Sequence, residues 1–147
     1  MKKVLIRILV AIPLVFLFLS CENNVNSPQN DVGEETIIRD GGNLSAFYFY
    51  DLFTLQGNQL VKDNKYNDVE IVDVGKINSL SSIDYVPPTG WQSSVTLVVG
   101  NGYIVKRTYR TVSEFARFRV IERIDKGAVT GYRIRIQYNW DPLTDAN

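Results

Sequence analysis

The amino-acid sequence predicts a nearly all-β domain of about six strands, folded as a small antiparallel barrel or sandwich. Aromatic and β-branched residues recur in short segments from residue 46 onward, and several segments alternate polar and apolar side chains. Turns rich in glycine, proline and serine separate these segments. Between Leu44 and Trp140 no stretch has ten residues of helical periodicity, and only Ser113 is placed where it could cap a single helical turn.

The first twenty residues have the pattern of an export signal. Three basic residues among the first seven precede an apolar run from Ile8 to Leu19. A helix of that length would measure roughly 18 Å, whereas a permanent span must cross roughly 30 Å of hydrocarbon. Residues 1–20 are therefore predicted to be a signal peptide that is removed.

The one cysteine, Cys21, follows this apolar run directly and precedes polar residues. The segment "FLSC" resembles the lipobox of bacterial lipoproteins, although Phe18 and Leu19 depart from its usual residues. The resemblance implies a diacylglycerol on the Cys21 thiol, cleavage just before it, and a membrane partner reached through this anchor. Two or three acyl chains hold a protein stably at a bilayer, since each buried methylene contributes about 0.8 kcal/mol. The alternative is an incidental cysteine in an uncleaved membrane helix.

Composition limits the functions open to the exported chain. Removal of residues 1–20 leaves 127 residues with a formal charge of −3, so nucleic acid is not an expected partner. The chain has no histidine and no second cysteine, which excludes disulfides, the usual zinc and copper sites, and nucleophiles paired with histidine. We expect no metal and no cofactor. Hydrolysis by carboxylates alone remains open.

The mature chain is predicted to begin with a tether. Residues 22–42 are rich in Asn, Asp, Glu, Ser and Gly and show no sustained periodicity. We assign Cys21 and this segment, residues 21–42, to an acylated cysteine with a disordered tether. A single β domain is assigned to residues 43–147.

The predicted strands follow in order along the domain. "AFYFYDLFTL", beginning at Ala46, is expected to be one strand covered on both faces, and "DVEIVDVG" at Asp68–Gly75 is the next. The segment "KINSLSSIDYVPPTGW" is expected to be an extended connection with turns. Val95–Val99 and Tyr103–Tyr109 are then expected to be two strands joined by a tight reversal at Gly100-Asn101-Gly102.

The last two strands have the clearest alternation. One face of "FARFRVIERI" carries Ala116, Phe118, Val120 and Ile124. One face of "YRIRIQYNW" carries Tyr132, Ile134, Ile136 and Tyr138. These faces are predicted to lie in the core.

The second half of the chain carries short landmarks: Gly-Lys, Gly-Trp and Gly-x-Gly-Tyr within "VDVGKINSLSSIDYVPPTGWQSSVTLVVGNGYIVKRTY", then "FARFRVIERI" and "GAVTGYRIRIQYNWDP". On these residues, from about Val72 to Pro142, the chain resembles a family of short Bacteroidetes lipoproteins that carry a domain of unknown function. The resemblance implies a small β domain in the bacterial cell envelope, as an outer-membrane lipoprotein facing either the periplasm or the cell surface. It implies no activity for any residue.

Arginines form the first candidate binding surface. Five of them alternate with the core positions of the last two strands and are expected to converge on one outward face: Arg117, Arg119, Arg123, Arg133 and Arg135. Lys106 to Arg135 holds nine basic and three acidic residues, whereas Glu22 to Asp84 holds four basic and eleven acidic ones. The face suits sulfated or uronic glycans, lipid headgroups or an acidic protein. Alternatively, it is an ordinary solvated sheet surface whose partners are the acidic residues of the first half.

Aromatic and acidic residues form the other candidates. Trp91 follows a Pro-Pro-Thr-Gly turn and Trp140 lies near the carboxyl end; either could stack on a sugar ring or close one end of the core. The acids nearest the predicted strands are Asp73, Asp84, Glu114 and Glu122. Glu122 stands out because it interrupts the apolar face of its strand, although such a residue more often pairs with an arginine at a sheet edge.

Together these observations predict a lipid-anchored envelope protein that works by binding or assembly and is not an enzyme, with no catalytic residue assigned. Its partners besides the membrane are expected to be a glycan or another envelope protein. A glycan-binding accessory lipoprotein and a carboxylate-dependent hydrolase are the alternatives.

Overall fold

A computed structural model describes residues 31–47, 50–127 and 129–142 of the chain. The strands in this part are β1 (Glu34–Arg39), β2 (Asn43–Phe47), β3 (Tyr50–Gln56), β4 (Gln59–Lys62), β5 (Val69–Lys76), β6 (Ser94–Thr96), β7 (Asn101–Tyr109), β8 (Val112–Lys126) and β9 (Val129–Trp140). They form a five-stranded sheet in the order β1-β9-β8-β7-β5 and a four-stranded sheet in the order β2-β3-β4-β6. All pairings are antiparallel. The all-β prediction is confirmed, and the architecture is a sandwich rather than a closed barrel.

The main core lies between the two sheets. The alternation predicted for β8 and β9 is confirmed up to Val120, because Phe118 and Val120 are fully buried opposite Ile136 and Ile134. The ladder shifts register between Val120 and Glu122 and places Ile124 opposite Gly131, so the core face predicted to continue to Ile124 is interrupted. Phe118 also stacks on Tyr103 of β7, with 4.9 Å between the ring centroids. The apolar face of each strand is therefore in the sandwich interior, where burial contributes about 25 cal/mol per Å² of apolar surface.

Tyr103 links the core to the segment after β6. Its hydroxyl accepts a hydrogen bond from the Val98 N–H at 2.8 Å and donates one to the Thr96 carbonyl at 2.9 Å. Burial raises the pKa of Tyr103 to about 12, because the phenolate would lose its hydration inside the sandwich. The neutral phenol is thus favoured by the fold.

A strand lies where the tether was predicted. Residues 34–39 pair with β9 from Glu34↔Ile136 to Arg39↔Gly131, so the tether prediction is wrong for these residues. Only Ile38 of this segment is buried, which is why its sequence alone lacks a visible alternation. The strand exists because β9 offers an open edge, and Gly131 allows close approach: a Cβ there would lie 2.2 Å from the Ile38 carbonyl oxygen. The predicted signal peptide and Cys21 lie outside the described residues.

The segment predicted as one strand from Ala46 is instead a hairpin. It comprises the end of β2 and most of β3, and Phe47 pairs with Tyr50 across them. Residues 48 and 49 lie outside the described part of the chain. The sequence does not reveal where this segment reverses, because the run of strand-forming residues contains no glycine or proline to mark a turn.

The predicted reversal at Gly100 joins two sheets rather than two neighbouring strands. β6 pairs with β4, whereas β7 lies between β5 and β8. Gly100, at φ 89°, lies at the crossing from one sheet to the other. Ser113, the one residue placed where it could cap a helical turn, instead belongs to β8 and pairs with Thr108.

The connection after β5 covers the outer face of the five-stranded sheet. It is extended with turns, as predicted, and includes a short 3₁₀ turn at Leu80–Ser82. Side chains of the connection and of the sheet together form a second buried cluster, made of Val72, Leu80, Ile83, Ile104 and Trp140, with Trp91, Val86 and Phe115 packed against it. This second cluster positions the candidate site described below. None of the helices in the described residues is long and apolar enough to cross a membrane.

Candidate functional site

A cavity of about 620 Å³ lies where β8 begins and β9 ends, beside the connection. Its lining residues are Val86, Ser113, Glu114, Phe115, Asn139, Trp140, Asp141 and Pro142. This volume falls within the range of small-molecule sites, roughly 300–1,000 Å³. We refer to it as the β8–β9 cavity.

Local irregularity in the sheet accompanies the β8–β9 cavity. Phe115 pairs with Trp140, and the ladder then shifts register before Arg117, which places a bulge beside the cavity. Asn139 has a φ of 49°, a left-handed conformation that asparagine tolerates better than most residues. Bulges and left-handed residues redirect side chains at sheet ends, so the strands present both polar and apolar groups to the cavity.

The lining combines oxygen atoms with apolar walls. Glu114 and Asp141 contribute carboxylates, Asn139 an amide and Ser113 a hydroxyl, whereas Val86, Phe115 and Pro142 supply the apolar surface. Both carboxylate residues are exposed to water. No lysine or arginine is among the described residues that line the cavity. Nor does the described part of the chain contain a cluster of three or more His, Cys, Asp or Glu that could hold a metal ion.

Trp140, one of the two predicted tryptophans, lines the β8–β9 cavity but is almost fully buried, with 2% of its surface exposed. The Arg117 guanidinium lies over its ring at 4.8 Å from the centroid, and the Phe115 ring meets it edge to face at 6.4 Å. Its indole N–H is buried without a hydrogen-bond partner among the described residues. Trp140 therefore forms a wall of the cavity and presents no free ring face for stacking on a sugar.

Trp91, the other predicted tryptophan, lies elsewhere. It is half-buried against the second cluster, and its indole N–H donates to the Pro87 carbonyl at 3.1 Å. The Lys106 ammonium lies 4.3 Å from the ring centroid and 2.7 Å from a Glu70 carboxylate oxygen. One face of Trp91 is thus occupied by a cation of the protein itself, and the structure does not bring Trp91 and Trp140 into one site.

Arg117 does not face outward, so that part of the arginine prediction is wrong. The residue is 3% exposed, and its Nε donates to Gln137 Oε1 at 2.7 Å. Its Nη1 donates to the Ile83 carbonyl in the connection. The second cluster covers this stretch of β8, and the guanidinium satisfies polar groups beneath that cover. Arg117 thus links the connection to the sheet.

Three of the other arginines, Arg119, Arg133 and Arg135, lie beside acidic residues rather than in a free patch, and Arg123 lies opposite the buried Tyr132 in the ladder. Arg135 pairs with Glu35 and donates to the Asp31 carbonyl at 3.0 Å, while Arg119 lies 4.0 Å from the Asp31 carboxylate. These contacts favour the alternative interpretation, in which acidic residues of the first half neutralise the face. Asp31 also accepts a hydrogen bond from the Leu80 N–H at 2.6 Å, which connects the start of the fold to the 3₁₀ turn.

Glu122 does not interrupt the core face, contrary to the prediction. The ladder shifts register between Val120 and Glu122, and Glu122 then pairs with Arg133. Its carboxylate lies 3.1 Å from the Arg133 guanidinium on the exposed surface, and Arg123 is exposed nearby in the sequence. The bulge accommodates one additional residue, which removes the charge from the interior.

Comparison with protein-family models, curated proteins and solved structures finds no match for this chain. Its function is therefore inferred from the site's own chemistry.

Sequence reasoning had noted Trp140 and Glu114 but had not connected them. Asn139 and Asp141 are not among the residues singled out in the sequence, and Ser113 is considered there only as a helix cap. The only local signal was "NWDP" at the end of a strand, where polar residues flank a large aromatic and proline ends the pairing.

Proposed function

We propose that this chain is a lipid-anchored protein of the bacterial cell envelope whose β sandwich works by binding a ligand in the β8–β9 cavity. The observation that supports binding is the cavity itself, about 620 Å³ in volume, with polar groups placed on apolar walls at the end of two long paired strands. Sites on strands hold their side chains in place better than sites on loops. The lipid anchor rests on the sequence around Cys21.

The anchor would keep the sandwich close to the membrane. Because the fold begins by Asp31, only residues 22–30 separate it from Cys21. Even a fully extended chain of that length reaches roughly 35 Å. The β8–β9 cavity would thus meet ligands at or near the membrane surface.

Intact mass spectrometry of the protein purified from its native membrane tests the anchor. We expect a chain that lacks residues 1–20 and carries the added mass of acyl chains. A Cys21→Ser variant should carry no acyl chain and should leave the membrane fraction. An intact initiator methionine with no fatty acid on the native protein would contradict the proposal.

Binding is tested separately by NMR. A library of small molecules and oligosaccharides is screened, and a ligand should shift the backbone signals of Phe115 and Asn139. Ser113→Trp, which places a large side chain in the cavity, should abolish those shifts. Gln59→Trp, an exposed position on β4 of the other sheet, should leave them unchanged. If no library member shifts the cavity signals, binding at this site is refuted.

A carboxylate-dependent hydrolase is a second candidate, because Glu114 and Asp141 line the same cavity. A glycosidase needs one carboxyl group removed from water so that it stays protonated as a general acid. Both side chains here are exposed, so the observation favours binding. Hydrolysis of chromogenic glycosides that is lost in Glu114→Gln would reverse that preference.

A further inference from the structure

We propose that the β8–β9 cavity takes a sugar without anionic groups: a polyhydroxylated ring that carries no carboxylate, sulfate or phosphate. This inference rests on the proposed binding function and names its ligand class. It differs from the expectation drawn from the arginines, which pointed to sulfated or uronic glycans. The cavity and the arginine face are different surfaces, and the cavity is an open hollow of about 620 Å³.

Charge excludes anionic ligands from the cavity. Glu114 and Asp141 both line it, and no basic side chain does so among the residues described. At about 4 Å, each like-charge contact lowers affinity roughly fivefold even in a dielectric near that of water. The nearest guanidinium, that of Arg117, is buried on the ring of Trp140 and bonded to protein oxygens, so it is not available to a ligand.

Hydrogen bonding favours a sugar among ligands without an anionic group. The Asn139 amide, the Ser113 hydroxyl and the Glu114 carboxylate provide acceptors suited to neighbouring hydroxyl groups. The half-buried Phe115 and the apolar side chains of Val86 and Pro142 supply a surface for the C–H face of a ring. Few polar groups on apolar walls are the usual composition of a small-molecule site.

The test titrates the protein with tetrasaccharides of three charge types, followed by NMR and calorimetry. The neutral set is cellotetraose, maltotetraose, xylotetraose and mannotetraose; tetragalacturonate and a heparin tetrasaccharide are the anions, and tetraglucosamine is the cation. At least one probe without an anionic group should shift the Phe115 and Asn139 signals and bind at least tenfold more tightly than either anion. Asn139→Gly, which keeps the left-handed backbone and removes the amide, should weaken binding of that probe about tenfold.

A charge reversal tests the selectivity itself. Glu114→Lys should raise tetragalacturonate affinity at least tenfold at low salt, whereas Glu122→Lys, on the same strand but outside the cavity, should not. An anionic tetrasaccharide that shifts the cavity signals and binds more tightly than every other probe would overturn the sugar class and leave the binding function standing. The sugar class is likewise overturned, with the binding function intact, if no saccharide binds but another library compound does. If nothing binds, both proposals fall.

Discussion

Replacing Arg117 with alanine should lower the free energy of unfolding by about 2–4 kcal/mol. Arg117 was predicted to lie on a binding surface, whereas its contacts make it a link between the connection and the sheet. The change therefore separates a structural role from a ligand-binding role. It should do so without any knowledge of the ligand.

The magnitude follows from the contacts of the side chain. The variant loses hydrogen bonds to Gln137 Oε1 at 2.7 Å and to the Ile83 carbonyl, and bonds to a charged group contribute about 1.5–3 kcal/mol each. It also loses the contact with the Trp140 ring at 4.8 Å, which contributes about 0.5–2 kcal/mol. The guanidinium no longer has to be desolvated, and this gain offsets several kcal/mol of the loss. The balance is a net loss of about 2–4 kcal/mol.

Urea unfolding followed by tryptophan fluorescence measures the effect. At a slope near 2 kcal/mol per M, the midpoint should fall by about 1–2 M. Arg117→Lys should recover only part of the loss, since an ammonium group cannot reproduce the planar fork of a guanidinium. Arg133→Ala is the matched control. The Arg133 and Glu122 side chains of its ion pair are 42% and 51% exposed, so the free energy of unfolding should fall by only about 0–1 kcal/mol. A loss below 1 kcal/mol for Arg117→Ala, or an equal loss in both alanine variants, would refute the reasoning.

Three further changes test other parts of the fold. Gly131→Ala should detach β1 from β9 and speed amide exchange along β1, because its Cβ would lie 2.2 Å from a β1 carbonyl oxygen. The control is Gly127→Ala, whose Cβ meets no atom within 4 Å and which should leave the β1 amides protected from exchange. Equal protection of the β1 amides in both variants would count against the pairing. Tyr103 has a folded pKa of about 12, above its ordinary value of 10.0, so its contribution to stability is complete below pH 10 and is lost as the pH rises toward 12. Tyr103→Phe should therefore be less stable than the parent by about 1–3 kcal/mol in urea unfolding at pH 8. This difference should shrink at pH 11. A difference that stays constant would contradict the raised pKa of Tyr103. Asp31→Ala should lower the free energy of unfolding by about 1–3 kcal/mol and lower the thermal midpoint, because the Leu80 N–H loses its acceptor at 2.6 Å. An unchanged midpoint would show that this contact does not stabilise the fold.

Alternation along a strand is a local property, and the sequence predicts it well. Side chains of a strand point to opposite faces in turn, so Phe118, Val120, Ile134 and Ile136 could be assigned to the core without knowing their neighbours. Glu122 broke the pattern because a bulge changes the period at one residue. Nothing in the neighbouring residue types marks that position.

Pairing is not local, and here prediction failed. Residues 34–39 contain too few apolar side chains to indicate a strand by themselves, and they pair because the edge of β9 lies open beside them. The segment from Ala46 contains strand-forming residues throughout, so its reversal could not be located. β6 and β7 are close in sequence, yet each finds its partners in a different sheet.

The sequence by itself determined the β class, the core faces of the long strands, and the acidic and basic halves whose charges pair in the fold. The tertiary structure decided which arginine is buried, which tryptophan lines a cavity, and which acids meet there. The β8–β9 cavity joins Glu114 to Asn139 and Asp141 only because β8 and β9 run antiparallel in a particular register. Residue type and spacing describe one strand at a time, whereas a site depends on the distances between strands, which only the packed sheets define.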